Sequence, residues 1–596
     1  VTTSEAQKDR PSHFRGTVIR LLQAMGPDRG RVAAVVLSGA LGLGMLIAIP
    51  ALLGTATDIV VRGIGSGDVD FAAVARVLTV AGTLSAAAWV CMVVQGRLIA
   101  TVAQRLAYRL RERAATKLSR LPLRYFDTRP RGELLSRATN DIDNVGQTVQ
   151  HISFRVLASF INFIGALVMM LVISPLLTAV LLVTMPVSVL LTRVIGKRAQ
   201  PGFDREWAAT GRLNGHVEEV YSGHEVITAF GRRDDVARAF AEHNAEVRAA
   251  GVKAEFTAGL IAPAMAFLGN INYLLVAVLG ALRVTSGALS LGDIQAYLQY
   301  VTQVNQPVTT LGFLAGRIQS AVASAERVFD LLDAEEQDPD TTRPAHRERP
   351  RGAIEFRDVS FGYAKDQPLI EHLSLSIQPG QMVAIVGPTG AGKSTLVNLL
   401  LRFYEPDTGT ITLDGVDIAT TTREDLRGDI ALVPQDTWLF HGTIADNIGY
   451  GRAGAMHADI VAAATAVHVD HLIRTLPQGY DTTLDDDGGG LSAGERQLIT
   501  LARAALVRAP VLVLDEATSS VDTRTEMLVH QAMTALRRGR TSFVIAHRLA
   551  TIRDADLILV LEAGRIVEQG THQRLLAARG AYARLYAAQF SESAAA

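Results

Sequence analysis

The 596 residues are too many for one hydrophobic core, so two or more domains are expected. Hydrophobic residues make up 48% and charged residues 20%, with a mean hydropathy of +0.22, which is apolar for a soluble enzyme. The formal net charge of -1 lacks the basic excess of a nucleic-acid binder, and a single cysteine, Cys91, excludes disulfide scaffolds and multi-cysteine metal clusters.

The opening VTTSEAQKDRPSHFRG is polar and has no signal-peptide hydrophobic run. It reads as a flexible cytoplasmic lead-in over 1–14. Six apolar segments then fit helices long enough to cross a bilayer, at 32–61, 71–95, 152–173, 175–192, 257–282 and 291–313. Only Ser174 and Pro175 separate the third from the fourth. The stretch 97–137 holds eleven Arg or Lys residues and 193–256 holds ten, whereas the short loops 62–70 and 283–290 hold Arg62 and Arg283. The positive-inside rule therefore puts both long loops and both termini in the cytoplasm. Within the first long loop, Val102, Leu106, Leu110 and Leu118 lie on one helical face without a proline or glycine between them, so the membrane helices continue past the bilayer.

Breaks are expected at LPLRYFDTRPRG (121–132) and YSGHEVITAFG (221–231). Their Tyr125, Phe126 and Phe230 suit knobs that dock on another domain, with satellite cores of the helical bundle as the alternative. Polar residues at membrane depth are Asp58, Asn162, Asn270, Asn272, Gln299, Gln303, Asn305 and Gln306. Asp58 lies near the outer end of the first segment, within reach of water. The sixth segment is the most polar and is a candidate pore lining.

A Pro- and Asp-rich connector, DAEEQDPDTTRPAHRERPRG, closes the helical domain. The expected division is a domain over 15–330, a linker over 331–352, a second domain over 353–585 and a flexible tail over 586–596. From 353 the pattern changes to short strands and turns. The strand QMVAIVG runs into GPTGAGKST and then a helix, the context a phosphate loop requires. Gly387, Gly390 and Gly392 allow backbone N–H groups to turn toward phosphates. Lys393 reaches the terminal phosphates, and Ser394 can ligate magnesium. A second strand, VLVLDEATSS, ends in Asp515, suited to hold magnesium through water, and Glu516, suited to polarise the attacking water. A third, TSFVIAHRL, ends at His547, which can contact the terminal phosphate or orient the water. Gln435 follows another strand and suits contact with magnesium or water; Tyr363 suits stacking on the base.

Together these motifs resemble the ABC transporters of the exporter type, over about 14–585. The resemblance implies a polytopic all-α transmembrane domain with six long helices, followed by an α/β P-loop ATPase domain in the cytoplasm of a plasma-membrane protein. It makes Tyr363 the A-loop aromatic and assigns Walker A to Gly387, Pro388, Thr389, Gly390, Ala391, Gly392, Lys393, Ser394 and Thr395. Gln435 becomes the Q-loop glutamine, Asp515 and Glu516 the Walker B pair, Ser519 to Asp522 the D-loop and His547 the switch histidine. LSAGE, with Ser492 and Gly494, occupies the signature position, which serves a partner's ATP. ATP and Mg2+ are the implied cofactors, and no nucleic acid is implied.

Ala493 and Glu495 stand where the family pattern has glycine and glutamine. The D-loop reads SSVD, and LDDDGGG replaces a glycine–glutamate–x–glycine pattern. These departures resemble the intact subunit of a heterodimeric exporter, with a homodimer as the alternative. The implied activity is ATP-driven export of amphiphilic drugs or lipids by alternating access. A siderophore or small-molecule importer of the same fold and an ATP-gated channel are the rival readings.

Overall fold

The computed structural model describes residues 13–345, 350–364, 367–485, 490–515, 523–546 and 549–590; for 152–154, 305–316, 523–524, 549–550 and 589–590 it describes the backbone alone. The chain forms two compact units. One comprises Val1–Arg120 and Arg129–Ala334, the other Leu121–Thr128 and Glu335–Ala596.

The helices run in the order α1 (Phe14–Ala24), α2 (Arg29–Ser66), α3 (Phe71–Leu118), α4 (Leu123–Asp127), α5 (Arg131–Ala138), α6 (Asn140–Ile173), α7 (Pro175–Ser222), α8 (His224–Ala229), α9 (Arg233–Gly259), α10 (Ile261–Thr285) and α11 (Leu291–Asp333). The second apolar segment and the helical stripe after it form one continuous helix, α3, from Phe71 to Leu118, which buries Val102, Leu106 and Leu110 on one face. Asp70 caps it, accepting from Ala73 N at 2.8 Å. Between α6 and α7 the chain reverses at Ser174, whose side chain caps α7, with Pro175 in the first helical turn where no amide is needed.

Among the described residues, five helical runs are long and apolar enough to cross a membrane: Gly26–Ser66, Phe71–Leu118, Arg131–Ile173, Pro175–Ser222 and Arg233–Thr285. The sixth expected segment differs. It begins α11, which is long enough at 43 residues but spaces Gln295, Gln299 and Gln303 through its outer half, too polar to count with the other five. Buried tyrosines from this same stretch organise the core of the unit. The Tyr297 hydroxyl donates to Thr178 Oγ1 at 3.1 Å and that of Tyr300 to the Ile47 carbonyl at 2.6 Å. Each phenol thereby finds a partner away from water.

Asp58 does not simply reach water. Its Oδ1 accepts from Gly292 N at 2.7 Å and its Oδ2 from Ser290 Oγ at 2.6 Å, which ties α2 to the start of α11. Ser290 and Asp293 complete a capping box there. The two helices approach so closely that a Cβ on Gly292 would lie 2.0 Å from the Gly54 carbonyl oxygen. Asn272, by contrast, is buried with Oδ1 unsatisfied among the described residues, as is Gln303 Oε1. The side chains of Asn305 and Gln306 lie outside the described residues.

In the second unit the strands are β1 (Ile354–Phe361), β2 (Ile370–Ile377), β3 (Met382–Val386), β4 (Thr408–Leu413), β5 (Val416–Asp417), β6 (Ile430–Val433), β7 (Gly442–Thr443), β8 (Thr483–Leu484), β9 (Val511–Asp515), β10 (Thr541–Ile545), β11 (Leu557–Glu562) and β12 (Arg565–Gly570). A six-stranded sheet runs β12-β11-β3-β10-β9-β6, with β11, β3, β10, β9 and β6 parallel. A second sheet, β2-β1-β4-β5, is antiparallel. Central parallel strands are buried on both faces, which is why Val383 to Ile385 and Val511 to Val513 are continuous apolar runs with no exposure. One core lies between the two sheets and the other beneath the helices that follow β6.

Gly292→Ala is expected to lower the thermal midpoint of the detergent-purified chain more than Asp58→Ala. The first forces two helix backbones apart, while the second removes two charge-assisted hydrogen bonds worth about 1.5–3 kcal/mol each. An unchanged midpoint in Gly292→Ala would contradict the close approach.

Candidate functional site

The carboxyl edge of the parallel sheet gathers the phosphate loop, Asp515 and Gln435. In register, Ile385 of β3 lies beside Ile545 of β10, Ile545 beside Asp515 of β9, and Leu514 beside Val433 of β6. The phosphate loop after β3, Asp515 and Gln435 two residues beyond β6 therefore emerge from one edge, where open α/β sheets bind ligands.

The loop turns as its glycines require. Gly390 and Gly392 have φ of 82° and 96°, and a Cβ on Gly387 would lie 2.2 Å from the Leu561 carbonyl oxygen. Gly392 caps helix α12 (Lys393–Leu400). Pro388 and Thr389 are exposed on the loop, and Ala391 is buried beneath it, with its N–H donating to the Pro388 carbonyl at 3.2 Å. Lys393 Nζ spans the loop, donating to the carbonyls of Gly387 at 2.8 Å and Pro388 at 2.9 Å. Burial lowers the Lys393 pKa, and the Asp515 carboxylate opposes that shift. Ser394 presents an exposed hydroxyl in the first turn of α12, whereas Thr395 is buried. An exposed amide-lined loop at a helix N-terminus, a lysine, a hydroxyl and a carboxylate form a donor set that fits a magnesium-bound triphosphate.

Tyr363 stands beside this loop. Its hydroxyl lies 3.2 Å from Thr395 Oγ1 and accepts from Asn398 Nδ2 at 3.3 Å, and its ring meets Phe361 and Tyr404 edge to face at 5.1 and 5.0 Å. The Tyr404 hydroxyl donates to Asp127 of α4. Burial and that carboxylate together push the Tyr404 pKa upward. Leu123 packs on the core between the sheets, and Gln337 Nε2 donates to the Leu121 carbonyl at 2.8 Å. The segment 121–128 is thus built into the second unit, with Tyr125 buried, while Phe230 beyond α8 is 77% exposed.

The signature turn sits at the head of α13 (Ala493–Val507). Ser492 is its exposed N-cap and Gly494 is buried. Ala493 opens the helix, so replacing glycine there introduces no backbone strain. Glu495 turns back on the cap. Ser492 Oγ accepts from Glu495 N at 3.3 Å and Glu495 Oε2 accepts from Ser492 N at 2.7 Å. The sequence signal of this capping box is Ser-x-x-Glu, residues 492 to 495. Further along, Arg503 donates to the carbonyls of Asn447 at 2.9 Å and Trp438 at 3.2 Å, and to Asn447 Oδ1 at 3.1 Å. Its guanidinium lies 5.7 Å from the rings of both Phe440 and Tyr450. Arg503 therefore joins the segment after Gln435 to the signature helix. No sequence signal distinguishes it from any other arginine on that helix. Gln435 itself is exposed. Glu516, Ser519 to Asp522 and His547 lie outside the described residues.

Comparison with known proteins accounts for both units. The family model "ABC transporter transmembrane region" matches residues 32–308 and the model "ABC transporter" matches 370–519. The chain is 47% identical to a "Fatty acid ABC transporter ATP-binding/permease protein" of Mycobacterium bovis, covering 96% of both chains, with the same figures for the Mycobacterium tuberculosis protein of that name. It is 36% identical to an "ATP-dependent lipid A-core flippase" of Syntrophus aciditrophicus over 84% of this chain and 83% of that one. A solved bacterial Atm1-family ABC exporter with ATP bound aligns with a TM-score of 0.74 at 32% identity, covering 94% of this chain and 98% of that one. The chain belongs to the ABC transporters, as a multi-pass membrane permease fused to a cytoplasmic ATP-hydrolysing domain.

Proposed function

We propose that this protein exports fatty-acid-like or other lipid amphiphiles across the plasma membrane, driven by ATP hydrolysis between two nucleotide-binding domains. The observation that carries the reading is the shared sheet edge, where Gly387–Thr395, Asp515 and Gln435 emerge together. The substrate class rests on relatives named for fatty acid and for lipid A-core transport.

In this reading six helices cross the membrane, the outer half of α11 being the sixth, polar because it faces the translocation path rather than lipid. The expected domain limits, 15–330 and 353–585 with a linker over 331–352, are kept. Their one amendment is the segment 121–128, which docks within the ATPase unit. The exposed Phe230 turn then serves as the docking knob for the second subunit. That subunit is another half-transporter, with a heterodimer favoured by the departures in the signature and D-loop, or a second copy of this chain.

Each site takes its phosphate loop from one subunit and its Ser492 turn from the other. Lys393 and the loop amides bind the β- and γ-phosphates, and Tyr363 releases Thr395 and Asn398 to stack on the base. Ser394, Asp515 and Gln435 would hold magnesium, which would supply neutralisation of the charge on the phosphates. Glu516 orients and deprotonates the attacking water, and His547 contacts the γ-phosphate. Ser492 Oγ accepts from Glu495 N and keeps its own proton free to donate to the partner's γ-phosphate. Arg503 keeps the Gln435 segment in step with that signature helix. The Tyr363–Tyr404–Asp127 chain of contacts carries base occupancy to α4.

Glu516→Gln should preserve ATP binding and reduce magnesium-dependent ATPase by about 100- to 10,000-fold in lipid, as loss of a general base does; equal turnover would remove Glu516 from the mechanism. Glu495→Gln keeps both capping hydrogen bonds while deleting a negative charge from an anion-binding helix start. It should lower the ATP concentration for half-maximal activity about two- to fivefold, matching 0.3–1 kcal/mol at a helix terminus. A rise in that concentration would show that the charge does not oppose the nucleotide. Tyr404→Phe should leave basal ATPase near wild type and blunt its stimulation by long-chain fatty acids. Undiminished stimulation would take Asp127 and Tyr404 out of the coupling route.

A further inference from the structure

A cavity of about 310 Å3 opens in the first unit between α1, the cytoplasmic stretch of α3 and the end of α11. Arg20, Arg109 and Arg113 line it, and Leu106, Leu110 and Phe329 supply an apolar floor. Among the described residues no acidic side chain lines it. Arg20 is held in place by a bidentate pair with Asp333 and lies 4.4 Å over the Phe329 ring. Arg109 lies 2.9 Å from Asp28, but that buried carboxylate also serves Arg31 at 2.7 Å and Arg105 at 3.6 Å. One carboxylate facing three guanidiniums leaves an excess of positive charge. Arg109 Nε is buried without an acceptor, and Arg113 forms no ion pair, both among the described residues. A buried donor of that kind calls for an acceptor from outside the chain.

The position says where that acceptor comes from. The apolar run of α2 begins at Val32, just after Arg29 and Arg31, so Asp28, whose carboxylate pairs with Arg109 beside the cavity, lies at the cytoplasmic border of the bilayer. α1 leaves Phe14, Ile19 and Leu22 exposed while Arg20 turns to the cavity, the pattern of a helix lying in the interface. The volume is at the small end for ligand sites, which run from about 300 to 1,000 Å3, and so suits a headgroup whose chains stay in the membrane.

We propose that this cavity binds the phosphate headgroup of an anionic phospholipid of the inner leaflet, at a site separate from the nucleotide and from the transported amphiphile. The phosphate sits against Arg109 and Arg113, and the acyl chains lie along the apolar face of α1.

The test uses the full chain in neutral detergent without nucleotide, so that it succeeds or fails independently of the ATPase reading. Phosphatidylglycerol, phosphatidylcholine, oleate and inorganic phosphate are titrated, with bound lipid read by native mass spectrometry and thermal midpoint. Phosphatidylglycerol is expected to bind about tenfold more tightly than phosphatidylcholine. Arg113→Ala, at an exposed side chain, should erase about that tenfold preference, one charge-assisted contact. Ala24→Phe, which fills the cavity with the arginines intact, should do the same, whereas Arg238→Ala on α9 should not. Equal binding of the two lipids, or a preference unchanged by both cavity variants, would overturn the site. Equal protection by inorganic phosphate or oleate would overturn the phospholipid assignment.

Discussion

A backbone crossing a bilayer must satisfy its own hydrogen bonds, and this constraint shapes everything else in the chain. It makes the membrane unit a set of long, continuous helices. Helices α3 and α7 have 48 residues each, about 72 Å at the rise of an α-helix, against about 30 Å of hydrocarbon. More than half of each rod therefore projects beyond the apolar layer. Short turns at 119–132 and 223–232 are the places where the rods break. A rigid helix moves at one end when its other end is moved, so the turns are where force can be applied.

The first of these turns is built into the ATPase unit. Leu123 and Tyr125 are packed, and Asp127 meets Tyr404, which contacts the same aromatic pair, Phe361 and Tyr363, that flanks the phosphate loop. On the other side of the sheet edge, Arg503 and Asn447 tie the segment after Gln435 to the signature helix. Two short networks thus connect nucleotide-binding loops to structural elements. Phe361, Tyr404 and Asn447 are buried or nearly so at their centres, while Tyr363 and Asp127 reach the surface at the ends of the first network.

Much of this was legible in the sequence because the physical requirements are local. The phosphate loop needs its glycines, strands buried on both faces need unbroken apolar runs, and the stripe through Val102, Leu106 and Leu110 marks a helix with one buried face. Legibility failed where the requirement was tertiary. Asp58 looks like any acid near a helix end until Gly292 and Ser290 meet it from more than two hundred residues away. The glutamines of α11 make that segment less apolar than the other five, although it supplies the buried Tyr297 and Tyr300. The roles of Arg503 and Tyr404 depend on partners brought together only by folding. Glu495 was the exception: its capping box is a four-residue pattern, and its consequence, a carboxylate held at an anion-binding helix start, follows from that pattern alone.

Hydrolysis at the sheet edge moves an amphiphile through the helical unit. The direct measurement is uptake of a fluorescent long-chain fatty acid into inside-out proteoliposomes containing this chain, alone and with any co-expressed half-transporter. Accumulation that needs both ATP and magnesium, and stops when hydrolysis is blocked with vanadate, is the predicted result. Steady ATP hydrolysis with no accumulation of any lipid amphiphile, or an ionic conductance opened by ATP in its place, would contradict it.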